Sequence, residues 1–283
     1  MTGVKGRVFG QTAQDNGAPT ADPDGKPDVG DPYVSWLEDE VWFGDTRELR
    51  EGRFLHQQAD LRQAFETSPF WREVGLLLYD WGDSYSKQKE ALLYQGAPSL
   101  PRLANKPWQS FLSRTWRENV QNNKGWPEAP GGGWWLPDNW FERAWDIVRT
   151  RFVVRYLDGV QTLAENLVEV AQDKFGLEAH CDAEAKADGY YAYHVYIRQP
   201  FSVAALDYNG RQERSSNVEI QVMTELAEVI SALTHTYYEV RRDSAPVEKP
   251  KGWDFDDLEV QATEIARQCF PLEKDIERLR EEI

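Results

Sequence analysis

Residues 188–238 constrain the fold more than any other part of the chain. In Asn217-Val218-Glu219-Ile220-Gln221-Val222-Met223-Thr224, branched apolar residues alternate with polar ones, the period of a strand with one face buried. Glu219 sits between Val218 and Ile220, so its carboxylate points to the opposite face, toward a cleft. The run Gly189-Tyr190-Tyr191-Ala192-Tyr193-His194-Val195-Tyr196-Ile197 predicts a second strand. An Asn209-Gly210 turn joins a strand at 203–206 to the Glu219 strand. Residues 225–241 predict a helix carrying His235, with Leu226, Val229, Ile230 and Leu233 as its core stripe.

Upstream, Arg151, Val153 and Arg155 alternate with Phe152, Val154 and Tyr156, which predicts a half-buried strand. Leu157-Asp158-Gly159 turns the chain into a helix over 160–175, with Leu163, Leu167 and Val170 inward, and Gly176 stops it. Earlier, Leu55, Leu61 and Phe65 recur at helical spacing, and Ser68-Pro69 caps a second helix running through Leu76, Leu77 and Tyr94. The expected fold is α+β: a mixed β-sheet with packed helices, a helical N-terminal layer and a C-terminal helical extension. Four regions follow: a flexible acidic arm at 1–32, helices at 33–99, the core at 100–242, and a linker with helical extension at 243–283. The extension is expected to break near Pro271. A Gly-, Pro- and Trp-rich stretch at about 122–139 reads as a surface loop or lid.

Lys106 precedes a helix on which Ser110, Arg114 and Arg117 recur at steps of four and three, sharing one face. That face is either a solvated basic surface or a strip for phosphate, with lysine as point charge and arginine as fork. The net charge of −16 argues against broad nucleic-acid binding but leaves room for a local basic cleft. Cys181 and Cys269 have no paired spacing, so reduced thiols are expected and a zinc site is not. Neither an export signal nor a membrane span is indicated, and a soluble cytoplasmic protein is expected.

Four short motifs in order resemble the synthetase domain of RelA/SpoT-type alarmone synthetases, particularly the small ones. Lys106, Ser110 and Arg114 match a Lys-x-x-x-Ser-x-x-x-Lys/Arg helix start. Asp146, Ile147 and Arg151 match Asp-Ile-x-x-x-Arg. Gly189, Tyr190 and His194 match Gly-Tyr-x-x-x-His, and Glu219, Ile220, Gln221 and Thr224 match Glu-Ile-Gln-x-x-Thr. The matches span roughly residues 100–242.

This resemblance implies an ATP-dependent pyrophosphokinase that moves the diphosphate of ATP onto the 3′-hydroxyl of a guanine nucleotide. Asp146 and Glu219 are the implied catalytic and Mg²⁺-binding residues, with Glu219 either sharing the metal or taking the acceptor proton. Lys106, Ser110, Arg114 and Arg151 are implied to bind ATP. Tyr190, stacking on the base, His194 and Gln221 are implied on the acceptor side. For His194 and His235 a hydrogen-bonded core histidine stands beside the functional reading. The chain departs from the pattern at Val148-Arg149-Thr150, at Met223, and at Tyr191-Ala192-Tyr193. The aromatic run resembles toxic members of the family, so a tRNA 3′ CCA end is the alternative acceptor. A non-catalytic interaction protein retaining the fold is a third reading. External control of a growth-inhibiting product would come from the terminal extensions, or from a neutralising protein partner (an antitoxin); an oligomer is compatible with all of these.

Overall fold

The computed structural model describes residues 25–186, 189–206, 210–242 and 258–282, with side chains described except at 234–242 and 258–260. Most of the expected acidic arm, the linker at 243–257, Asn209 of the hairpin turn and the side chain of His235 lie outside the described residues.

A short helix α1 (Asp31–Trp36) is followed by α2 (Glu51–Glu66) and α3 (Pro69–Lys89). Ser68 caps α3 as expected, its hydroxyl accepting from Trp71 N–H at 3.1 Å, with Pro69 in the first turn. The helix stops at Lys89 rather than reaching Tyr94, because Glu90 takes a left-handed conformation (φ 52°). The chain then doubles back and buries Leu93 in the core. The core face of α2 is Phe54, Leu61 and Phe65; Leu55 is exposed.

Strand β1 (Ala104–Asn105), α4 (Trp108–Trp116), α5 (Trp140–Arg143), β2 (Val148–Val154) and α6 (Leu157–Glu169) come next. Gly176 ends the α6 segment as expected, at φ 62°, where its N–H reaches Gln172 O. Then follow β3 (Ala179–Ala185), β4 (Tyr191–Ala204), β5 (Arg211–Thr224), α7 (Glu225–Arg242) and α8 (Leu258–Glu282). The sheet order is β1-β2-β5-β4-β3, with β2 and β5 parallel and the other neighbours antiparallel. This is the mixed α+β architecture expected.

Alternation along the strands gives the sheet two unlike faces. Val148, Phe152, Val154, Val195, Ile197, Val218, Ile220 and Val222 are buried together with side chains of α2, α3 and α6. The opposite face carries Arg149 and Arg151 of β2, Glu219 and Gln221 of β5, and His194 and Tyr196 of β4. The register aligns Arg149, Glu219 and Tyr196 in one row and Arg151, Gln221 and His194 in the next.

Three expectations are corrected. Of the strand expected at 203–206, only Val203 and Ala204 are strand, and they are the end of β4, one continuous fourteen-residue strand. On α7, Val229 and Leu233 are 55% and 49% exposed, and burial falls on Ala227, with Leu226 and Ile230 partly covered. Helix α8 runs unbroken through Pro271. Cys269 and Glu273 on either side of that proline are buried, and their packing offsets the one hydrogen bond the proline ring removes. Both cysteines are free. Among the described residues no helix is long and apolar enough to cross a membrane.

Candidate active site

Backbone pairing brings the first two motifs together. Lys106 N–H donates to Ile147 O at 2.9 Å, and the buried Gln58 amide donates to both Lys106 O (3.0 Å) and Ile147 O (2.9 Å). This clamp seats Asp146 beside the basic face of α4. Lys106 Nζ donates to Asp146 Oδ2 at 2.5 Å and Arg114 to Oδ1 at 2.9 Å. Ser110 lies one turn before Arg114, half-buried, whereas Arg117 is exposed. The Trp-rich stretch supports this cluster: Trp135 is buried, and the guanidinium carbons of Arg114 and Arg143 lie 5.6 and 4.7 Å from the centre of its ring. Asn119 fixes Trp135, accepting from its N–H at 2.8 Å and donating to its carbonyl at 3.0 Å. Instead of a free lid, this part of the stretch is a tied brace.

Burial raises the Asp146 carboxyl, but the charges of Lys106, Arg114 and Arg149 outweigh it and hold the group below its ordinary 3.8. A carboxyl depressed by folding contributes stability above its unfolded value and loses it as pH falls through the folded one. Asp146→Asn should therefore be closest to the parent in thermal stability at the acid extreme, with the difference growing as pH rises toward about 5. Melting curves across that range check this; a gap independent of pH would refute it.

The second cluster surrounds Glu219, 4% exposed. Gln221 Nε2 donates to Glu219 Oε1 at 3.3 Å, and Arg151 donates to Gln221 Oε1 at 3.1 Å. Arg151 also lies 3.9 Å from Glu228 on α7. The buried His194 places Nδ1 against Glu219 Oε1, and its Nε2 lies 2.8 Å from Tyr190 OH and 2.9 Å from Glu184 Oε2. Burial, followed by the charges of Glu219 and Glu184, pushes the Tyr190 hydroxyl up. Lys186 Nζ sits 4.7 Å from the centre of the Tyr190 ring.

Arg149 and Tyr196 link the two clusters. Arg149 pairs in register with Glu219 and lowers Asp146 by its charge; Tyr196 lies opposite Glu219 and feels both carboxylates. Lys106, Ser110, Arg114 and Asp146 thus form one group, and Tyr190, His194, Glu219, Gln221 and Arg151 the other. Among the described residues no group of three or more His, Cys, Asp and Glu could hold a metal ion. Asp146 and Glu219 nevertheless fit Mg²⁺ by their donor chemistry, since that ion commonly takes one or two carboxylates and completes its shell with water and phosphate.

Sequence reasoning missed Gln58, Arg149, Glu184 and Tyr196. Gln58 was detectable as the polar residue interrupting the Phe54-Leu61-Phe65 stripe. Tyr191 and Met223 are both buried in a small core with Ala192, Ala227 and Cys269, against which Tyr190 also packs; by strand alternation Met223 shares the face of Glu219 and Gln221, whereas Tyr191 lies on the other. Their apolar character reflects the docking of α8.

The sequence matches no protein-family model, and no curated protein matches it. Solved structures do. The small alarmone synthetase 1 of Bacillus subtilis, bound to its product pppGpp, superposes with a TM-score of 0.52 at 16% identity, over 82% of this chain and 99% of that one. A second structure of that synthetase gives 0.52 and 16% over 82% and 98%. A GTP pyrophosphokinase family protein from Streptococcus pneumoniae gives 0.46 and 17% over 78% and 93%. The chain has the fold of the small alarmone synthetases.

Proposed function

We propose that the protein is an ATP-dependent pyrophosphokinase whose acceptor is the 3′-hydroxyl of a guanine nucleotide. The observation that carries this reading is the pairing of two unlike clusters on one sheet face: cations around Asp146, and a buried Glu219–His194–Tyr190 group joined to it through Arg149 and Tyr196. Lys106 and Arg114 bind the triphosphate as point charge and fork, and Arg151 and Ser110 extend that surface. Tyr190 stacks on the acceptor base, and His194 and Gln221 hold Glu219 toward the ribose.

The hydroxyl oxygen forms a bond to the β-phosphorus while the bond between that phosphorus and the α,β-bridging oxygen breaks, releasing AMP. Glu219 accepts the hydroxyl proton. A divalent cation held by Asp146 and Glu219 supplies charge neutralisation at the triphosphate when bound.

A second reading, transfer to a tRNA 3′ end, is favoured by an aromatic shelf beside Glu219. Trp145, 39% exposed, packs edge-on against Tyr196 (5.0 Å) and the exposed His180 (5.5 Å). Exposed rings next to a reacting centre suit the bases of a single strand. Incubation with γ-labelled ATP and, separately, GDP, GTP, adenine nucleotides and tRNA tests both. Label in the guanine nucleotide supports the first reading, label only in tRNA replaces it with the second, and label in none refutes the activity.

A further inference from the structure

The C-terminal helix grips the segment that carries Tyr190. Glu273 of α8 is a carboxylate only 8% exposed, and its Oε2 accepts from Tyr191 OH and from Thr224 Oγ1 (2.9 Å). Thr224 ends β5 and also caps α7, accepting from Ala227 N–H at 3.1 Å. Two turns earlier on the same face of α8, Ala266 presses on Gly189. A Cβ on Gly189 would stand 2.6 Å from Ala266 Cβ, and Gly189 already needs its φ of +91°. Phe270 adds an edge-on contact to Tyr191 at 5.1 Å between ring centres. Residues 189 and 191, flanking Tyr190, are thus both clamped by one helix.

A carboxylate is a costly choice at a buried packing position unless its hydrogen bonds fix something an apolar residue would leave loose. Here they fix register. Sliding α8 along the sheet would strand Glu273 and two buried hydroxyls without partners. Tyr190 lies one residue from this lock, and its hydroxyl contacts His194, which contacts Glu219.

We infer that Glu273 is a positioning residue for the acceptor side: by anchoring α8 on Tyr191 and Thr224 it holds the Tyr190 ring where the acceptor base stacks. The inference rests on the proposed role of Tyr190 and assigns α8 a part in acceptor affinity. Truncation after Arg242 would therefore remove a support of the site, as well as any regulatory surface on the extension.

The test uses the full chain with Glu273→Ala, Glu273→Gln, Tyr191→Phe and Tyr190→Ala. Acceptor and ATP kinetics are measured with GTP and with tRNA, and amide hydrogen exchange is followed over 190–193 and over β2. Glu273→Ala and Tyr191→Phe should raise the acceptor KM by about tenfold or more, the scale on which misplacing a binding group acts, with the KM for ATP unchanged. Glu273→Gln, whose amide oxygen can still accept both hydroxyls, should restore most of the affinity. Amides at 190–193 should exchange faster in Glu273→Ala while those of β2 stay protected. Equal rises in both KM values, or unchanged exchange at 190–193, would overturn the inference. If Glu273→Ala does not fold, the same readings on Tyr191→Phe decide. An unaltered acceptor KM in Tyr190→Ala would instead remove the stacking role of Tyr190. If neither acceptor is turned over, the exchange measurement alone still decides whether Glu273 positions the segment.

Discussion

Glu219→Gln is expected to lower kcat for diphosphate transfer by about 10²–10⁴-fold, the range that general acid–base groups supply, while the protein stays folded. The substitution keeps size and shape. The amide oxygen of glutamine can still accept from Gln221 Nε2, which now reaches Oε1 at 3.3 Å, and can still face His194. Only the negative charge and the capacity to take a proton are lost. With Val218 and Ile220 fully buried beside it, the strand has no reason to shift. Initial rates with saturating ATP, together with a melting curve, measure the effect. Activity within about threefold of the parent would exclude Glu219 from proton transfer and metal binding alike, since neither role survives the loss of charge.

How much of this was legible in the sequence depends on whether the cause was local. Alternation around Glu219, the Ser68-Pro69 cap and the Gly176 stop are short-range signals, and the structure follows them. The common face of Lys106 and Arg114 was legible for the same reason, as helical spacing is local geometry. Partners distant in the chain were not legible. Asp146 meets Lys106 and Arg114 only because β1 and β2 pair and Gln58, from another helix, clamps the junction. Helix α7 misled for a related reason. Its valine and leucine spacing suggests a buried stripe, but α7 packs chiefly on α8 and leaves Val229 and Leu233 exposed. Strand β4 runs on through the exposed Pro200, so the segment from 203 is continuous with the strand that begins at Tyr191. Strand β3, with its small and charged residues, lacks the apolar alternation that announces a strand, because it forms one edge. Most telling are Tyr191 and Met223. The sequence shows Met223 two residues past Gln221, but only the tertiary structure shows that it and Tyr191 join one small core with Cys269 of α8.

Asp146→Asn is expected to separate binding from chemistry. In the present arrangement Asp146 occupies both Lys106 and Arg114, at 2.5 and 2.9 Å. Those are the cations that a triphosphate would need. Removing the charge frees them and removes a repulsion, so ATP without divalent cation should bind the variant as tightly as the parent, or up to about fivefold more tightly, given about 1 kcal/mol for a partly exposed ion pair. Transfer should nevertheless fall by about 10³-fold or more, because several kcal/mol of charge stabilisation disappear with the carboxylate. Asparagine keeps an oxygen for one of the two donors, and the Gln58 clamp on Lys106 O and Ile147 O does not involve the Asp146 side chain; the fold should persist. Calorimetric titration of ATP in EDTA, paired with single-turnover rates in Mg²⁺, reads the two effects separately. Weaker ATP binding in EDTA would mean that Asp146 holds Lys106 and Arg114 in the geometry that phosphate needs. Its part would then be organisation of the basic face, and the metal would have to be sought at Glu219.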